Sequence, residues 1–183
     1  MSLAQLWLPI LLSGVALFFA SFLSWMVLGL HKPDWGKIER EDDFLDAVRR
    51  SGMQRGRSYM FPNFRTVEEM KGPEFQRKFK DGPNGLVTVF VPYPMPRNLA
   101  LTFVSFLVAS AILAYVGTIG LPAGAPFLTV FRFFSAASLL TFLFAIVQHS
   151  IWFQNRIVGH VIESIAYSLL VGAIFAALWP AGA

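Results

Sequence analysis

Cysteine is absent from the 183 residues, and charge is scarce: Lys, Arg, Asp and Glu together make up 14% of the chain. Without a thiol there is no disulfide scaffold, no thiol nucleophile, no iron–sulfur cluster and no cysteine-held zinc. A soluble domain carries about 25% charged residues, so the shortage argues against an ordinary cytosolic globule. Hydrophobic residues supply 55% of the chain and the mean hydropathy is +0.56, which excludes disorder. The few charges are also unevenly placed. Thirteen of the 15 Lys/Arg and ten of the 11 Asp/Glu fall within residues 31–99, leaving only Arg132, Arg156 and Glu163 outside. That is the composition of a membrane protein with one polar insert.

Crossing a hydrocarbon core of ~30 Å takes about 20 apolar residues at ~1.5 Å each. Four stretches qualify: residues 6–30, 99–120, 127–152 and 157–179. The first lacks a basic lead, exceeds the ~7–15 apolar residues of a signal peptide and precedes no small-residue cleavage site, so it reads as a retained helix. Residues 121–126 are a Pro/Gly breaker that fits only a tight hairpin, and residues 153–156 form a polar turn. The last three helices are therefore expected to be sequential antiparallel neighbours. The predicted fold is an all-α membrane protein of four transmembrane helices. A small α+β cytoplasmic insert (residues 31–98) separates helix one (1–30) from helices two to four (99–180).

Lys/Arg bias places the insert in the cytoplasm and both termini on the periplasmic side. Arg156 falls on the basic side and Arg132 alone dissents. Trp7 and Trp179 near one face, with Trp25 and Trp152 toward the other, suit interfacial belts. The net charge of +4 is accounted for by anionic lipid headgroups, so membrane lipids are expected partners and nucleic acid is not.

Within the insert, residues 39–50 read as an amphipathic helix carrying Phe44, Leu45 and Val48, stopped at Gly52. Thr66-Val67-Glu68-Glu69 has capping-box spacing, and Gly72-Pro73 should break the helix that follows. Residues 85–91 have the β-branched content of a strand, and Tyr59-Met60-Phe61 is its local partner. Two short helices and a β-ribbon are expected, with Pro92, Pro94 and Pro96 as a stiff extended lead into helix two.

Ionisable residues in a span are expensive and mark function by default. Arg132 and Arg156 read as anchors for lipid phosphates or partner carboxylates, and Arg132 is near enough to a helix end for its stem to snorkel. Gln148, His149, Asn155, Arg156, His160 and Glu163 gather around the last turn, with His160 and Glu163 one helical turn apart. His149, His160 and Glu163 are a legitimate ligand set for a divalent metal, and His149 with His160 for a haem. The plainer reading is a polar interfacial cluster with Glu163 paired to His160 and Arg156 facing headgroups; on that reading no cofactor is expected. No phosphate loop, H-E-x-x-H, nucleophile elbow or dinucleotide fingerprint is present, and no enzyme is expected.

Small residues recur at four-residue spacing: Ser164, Ser168, Gly172 and Ala176 on helix four, Ala16, Ala20 and Ser24 on helix one, and Ser105 and Ala109 on helix two. Such stripes let helices approach closely in lipid. Phe103, Phe106, Phe131, Phe133, Phe134, Phe142 and Phe144 form a bulky complement that can face lipid, pigment, quinone or a neighbouring subunit.

Trp7–Leu11 (W-L-P-I-L), Tyr59–Pro62 (Y-M-F-P), Gly82–Val89, Ala125–Arg132, Ser150–Trp152 and Leu178–Pro180 together resemble a group of small bacterial inner-membrane proteins to which no activity is attached. The resemblance implies a bacterial origin, an inner-membrane location and four helices, and transfers no function. The resulting expectation is a non-catalytic integral membrane protein, an accessory or structural subunit docking onto other integral membrane subunits of a larger complex, of respiratory or photosynthetic type for instance. The alternatives are a small haem- or metal-binding protein using His149, His160 and Glu163, and a lipid- or small-molecule-handling protein.

Overall fold

The computed structural model describes residues 2–182 and divides into two compact units: residues up to Gly36 together with those from Pro94 onward, and Lys37–Tyr93. In chain order the elements are α1 (Trp7–Phe22), α2 (Glu41–Arg50), β1 (Arg57–Phe61), α3 (Val67–Lys71), α4 (Pro73–Asp81), β2 (Gly85–Val89), α5 (Met95–Gly120), α6 (Phe127–Phe153) and α7 (Val158–Ala177). Among the described residues, four helical stretches are long and apolar enough to cross a membrane: Leu3–Leu28, Met95–Gly120, Phe127–Phe153 and Val158–Ala177. The chain is thus a multi-pass integral membrane protein, mostly helical, with one small sheet.

The first span begins as a 3-10 turn, Leu3–Leu6, runs through α1 and loosens into a π-helical turn, Leu23–Leu28. Gly29 ends it at φ +60°, in the left-handed region that costs a glycine little, and the Leu30 N–H reaches back to the Ser24 carbonyl at 3.1 Å. That reversal delivers His31 to the head of a further 3-10 turn, Lys32–Asp34. The second span starts four residues earlier than the hydrophobic pattern suggests. Pro96 is not part of an extended lead but sits in the first turn of α5, where a missing N–H leaves no bond unmade.

α6 and α7 form the closest pair in the membrane unit, and α1 packs against both α5 and α7. The expectation of three sequential neighbours therefore holds fully only for the last hairpin. α5 and α6 touch sparingly, and α1 is the main neighbour of α5. The core includes Leu6, Leu17, Leu113, Val130, Phe134, Val171 and Phe175, with the Phe134 and Phe175 rings stacked at 4.0 Å. Trp179 leans on Phe134 and its indole N–H donates to the Pro122 carbonyl at 2.9 Å, tying the chain beyond α7 to the α5–α6 loop. Ser164, Ser168, Gly172 and Ala176 are all buried, and Gly172 lies against Phe131 of α6. On α1 the buried positions are Pro9, Ser13, Gly14 and Leu17, with Ser24 buried just beyond, while Ala16 and Ala20 are half-buried; Gly14 meets Leu107 of α5.

In the second unit, β1 and β2 pair antiparallel with Tyr59 opposite Val87 and Phe61 opposite Gly85. Thr66 caps α3 by accepting from the Glu69 N–H at 3.2 Å, and the Glu69 carboxylate reaches one residue beyond the box, to the Arg65 N–H at 2.7 Å. The break expected at Gly72-Pro73 is present: Gly72 has extended backbone, so α3 ends there, and Pro73 opens α4, a full helix through Phe75 and Phe79 where a turn or two was expected. Phe64, Phe75 and Phe79 form a continuous aromatic cluster beside this break.

A buried imidazole–carboxylate site

The exit of α1 and the first turns of α7 meet at one end of the membrane unit. His31, 2% exposed, is the centre of the contact. Its ring stacks on the Trp25 indole with centroids 4.0 Å apart and planes inclined by 14°. α7 approaches through Gly159: a Cβ there would stand 2.9 Å from His31 Cε1, 3.0 Å from Nδ1 and 3.1 Å from the Leu30 carbonyl oxygen. Only a glycine lets the helix come this close.

Both ring nitrogens face carboxylates. Nδ1 is 2.8 Å from Asp34 Oδ2, and since an ionised carboxylate only accepts, Nδ1 carries the proton in that hydrogen bond. Nε2 is 3.1 Å from Glu163 Oε2 but is not aligned with it as a hydrogen bond. His31 Nε2 and Glu163 Oε1 are both buried polar atoms without a hydrogen-bond partner. Glu163, 7% exposed, also stands 3.9 Å from His160 Nδ1, and the two imidazoles are tilted against each other with centroids 4.5 Å apart. Arg156 Nε is 3.8 Å from Asp34 Oδ1, and the Tyr167 hydroxyl, one turn along α7, interacts with Ser21 and Glu163. Asp34 and Glu163 are the only acidic residues of the membrane unit, and both converge on one ring.

The structure brings together two of the three ligands named from the sequence, His160 and Glu163, and supplies His31 where His149 was expected. His149 is exposed in the last turn of α6, where its Nδ1 accepts from Asn155 Nδ2 at 3.1 Å and its ring rests on Phe153. Among the described residues, the one group of His, Asp or Glu ligating atoms lying within 4.8 Å of one another is His31, Asp34 and His160. Arg156 reaches toward Asp34 as well as solvent, and Arg132 is exposed in the second turn of α6. The signal that finds His31 is a repeated spacing: His31–Asp34 and His160–Glu163 are both H-x-x-acid, one just past the end of the first span and one at the start of the last.

No family model, curated protein or solved structure matches this chain. Two imidazoles and two carboxylates can share protons or hold a divalent cation. A haem gripped by His31 and His160 does not suit the arrangement, because the rings touch and leave no slot for a macrocycle.

Proposed function

We propose that this chain is a non-catalytic integral membrane protein that works by docking, as an accessory or structural subunit beside other membrane subunits. The observation that carries this reading is the unequal use of two small-residue rows. The row on α7 is buried within the chain, with Gly172 against α6. The row on α5 is left open: Ser105 and Ala109, with Leu101, Val108, Ile112 and Thr141, line an apolar groove of about 380 Å³ where α5 and α6 stand apart. A small-residue floor with aliphatic walls is what a helix from another subunit needs for close approach, since lipid supplies no hydrophobic drive between helices. The occupant on this reading is a partner's transmembrane helix.

Purification from native membranes in mild detergent tests it. Other membrane subunits are expected to co-purify, and Ala109→Leu, which fills the groove, should release them without lowering the thermal stability of the isolated chain. A particle containing only this chain overturns the reading. The orientation that goes with it, insert in the cytoplasm and termini in the periplasm of a bacterial inner membrane, is supported by the Lys/Arg asymmetry and by the resemblance to small bacterial inner-membrane proteins. Because the chain lacks cysteine, Met60→Cys gives a single label site; labelling by an impermeant thiol reagent added outside intact cells overturns the orientation.

A further inference from the structure

The geometry points to a site for a divalent first-row cation at the end of the membrane unit, with His31 Nε2, His160 Nδ1 and the Glu163 carboxylate as ligands and Asp34 as the residue that positions His31. Three observations carry it. First, one carboxylate oxygen stands close to both imidazoles. With metal–ligand bonds of ~2.0–2.1 Å, neighbouring ligands of a tetrahedral centre lie roughly 3.3 Å apart. Glu163 Oε2 is 3.1 Å from His31 Nε2 and 3.9 Å from His160 Nδ1, so each imidazole stands near that value from the carboxylate, while the three atoms do not all lie within 4.8 Å of one another and must draw in around an ion.

Second, the hydrogen bonding divides the two carboxylates between two roles. An imidazole binds metal through one nitrogen and donates from the other, and the donated proton fixes tautomer and ring orientation. Proximity alone groups Asp34 with His31 and His160. Asp34 is, however, already the acceptor for His31 Nδ1–H, which leaves the Nε2 lone pair directed to the opposite side, where Glu163 stands. Arg156 then steadies Asp34, with its Nε 3.8 Å from Asp34 Oδ1.

Third, His31 Nε2 and Glu163 Oε1 are buried without hydrogen-bond partners on side chains more than nine-tenths buried. Such atoms cost about 1–3 kcal/mol each when left unmet, more when charged, and a cation meets both. Nitrogen and oxygen donors without sulfur suit zinc and its first-row neighbours, and disfavour copper(I). Three protein ligands leave a fourth position for water or for the second oxygen of Glu163.

This inference does not depend on the docking reading and is tested on the isolated full-length chain in detergent. The protein is stripped with a chelator, then titrated with zinc and, separately, with cobalt(II). About one zinc ion per chain is expected, and the visible d–d bands of cobalt in a low-coordinate nitrogen–oxygen site. Glu163→Gln and His31→Gln should each weaken binding by more than about 100-fold, and Asp34→Asn by roughly 10–100-fold as an orienting residue. His149→Gln should bind as the parent does. X-ray absorption of the zinc-loaded parent protein should show imidazole ligation, a readout that needs no variant to fold. Substoichiometric binding by the parent, an imidazole-free shell, or Glu163→Gln and His31→Gln both binding as the parent does overturns the assignment.

Discussion

Replacing Gly159 by alanine is the sharpest probe of how the first and last spans are joined. The new Cβ would lie 2.9 Å from His31 Cε1, 3.0 Å from Nδ1 and 3.1 Å from the Leu30 carbonyl oxygen, all tighter than ordinary van der Waals contact. None of these neighbours yields cheaply. His31 is held by the Asp34 hydrogen bond and the Trp25 stack, and the Leu30 oxygen is backbone. Overpacking of this kind costs about 1–3 kcal/mol. Against it stands the helix preference of Ala over Gly, ~0.8–1.0 kcal/mol in a helix interior and less at position two of α7. A net loss of about 1–2 kcal/mol is expected, which for a chain of this size lowers Tm by about 2–8 °C. Gly36→Ala is the control, because a Cβ there meets nothing within 4 Å. The assay is thermal unfolding in detergent, followed by helical circular dichroism and by Trp fluorescence, which reports the Trp25–His31 stack. A Gly159→Ala protein as stable as its parent, with unchanged Trp emission, refutes the reasoning.

Gly172→Ala should destabilise by a further independent route, about 1–3 kcal/mol in the same assay, because its Cβ would stand 3.0 Å from the Phe131 carbonyl oxygen and 3.2 Å from the Phe131 ring. Trp179→Phe keeps the ring against Phe134 but deletes the 2.9 Å hydrogen bond to Pro122, so a loss of about 1 kcal/mol is expected in thermal unfolding. In the insert, the hydrogen bond and charge of Lys78, 2.6 Å away, hold the Glu74 carboxyl below its ordinary range. A lowered folded-state value means that the pair's support for α4 is present above the ordinary carboxylate range and is lost as pH falls through Glu74's own value. Lys78→Ala should therefore raise the Glu74 midpoint in a carbon-13 titration; an unmoved midpoint contradicts the assignment.

The spans were legible because an uncharged run of twenty or so residues is too apolar for a water-facing surface and long enough to cross a bilayer. Their observed ends differ from the expected ones by a few residues. What misled was punctuation. Pro96 read as extended chain although a proline in a first turn leaves no hydrogen bond unmade, whereas the break expected at Gly72-Pro73 is present and separates α3 from α4. Partner choice in the membrane unit was less legible. Short loops favour neighbours in sequence, yet α5 packs chiefly on α1, where Gly14 offers closer approach to Leu107. The site was half legible for the same reason. His160 and Glu163 share a helix face, so spacing alone pairs them, whereas His31 reaches them only through the left-handed Gly29 and the notch at Gly159. His149 instead contacts Asn155 and Phe153, since closeness in sequence across the last turn is not closeness in space.

The placement of acid in the membrane unit separates a binding site from a packing detail. A structural clasp between the exit of α1 and α7 requires one carboxylate at most: Asp34 satisfies His31 Nδ1, and the Trp25 stack and the Gly159 notch fix the ring. Glu163 adds contacts with His31 Nε2, His160 Nδ1 and the Tyr167 hydroxyl, none of which holds His31 in place as Asp34 does. It brings a second carboxylate out of water, a step whose penalty in real proteins is several kcal/mol unless good geometry offsets it. The offset is incomplete, since the contact with His31 Nε2 is misaligned and Glu163 Oε1 has no hydrogen-bond partner. A unit whose only two acidic residues stand on opposite edges of one imidazole, with a second imidazole beside them, has the donor set for a cation and more buried charge than packing requires. The unmet oxygen of Glu163 is what favours a cation over a simple clasp.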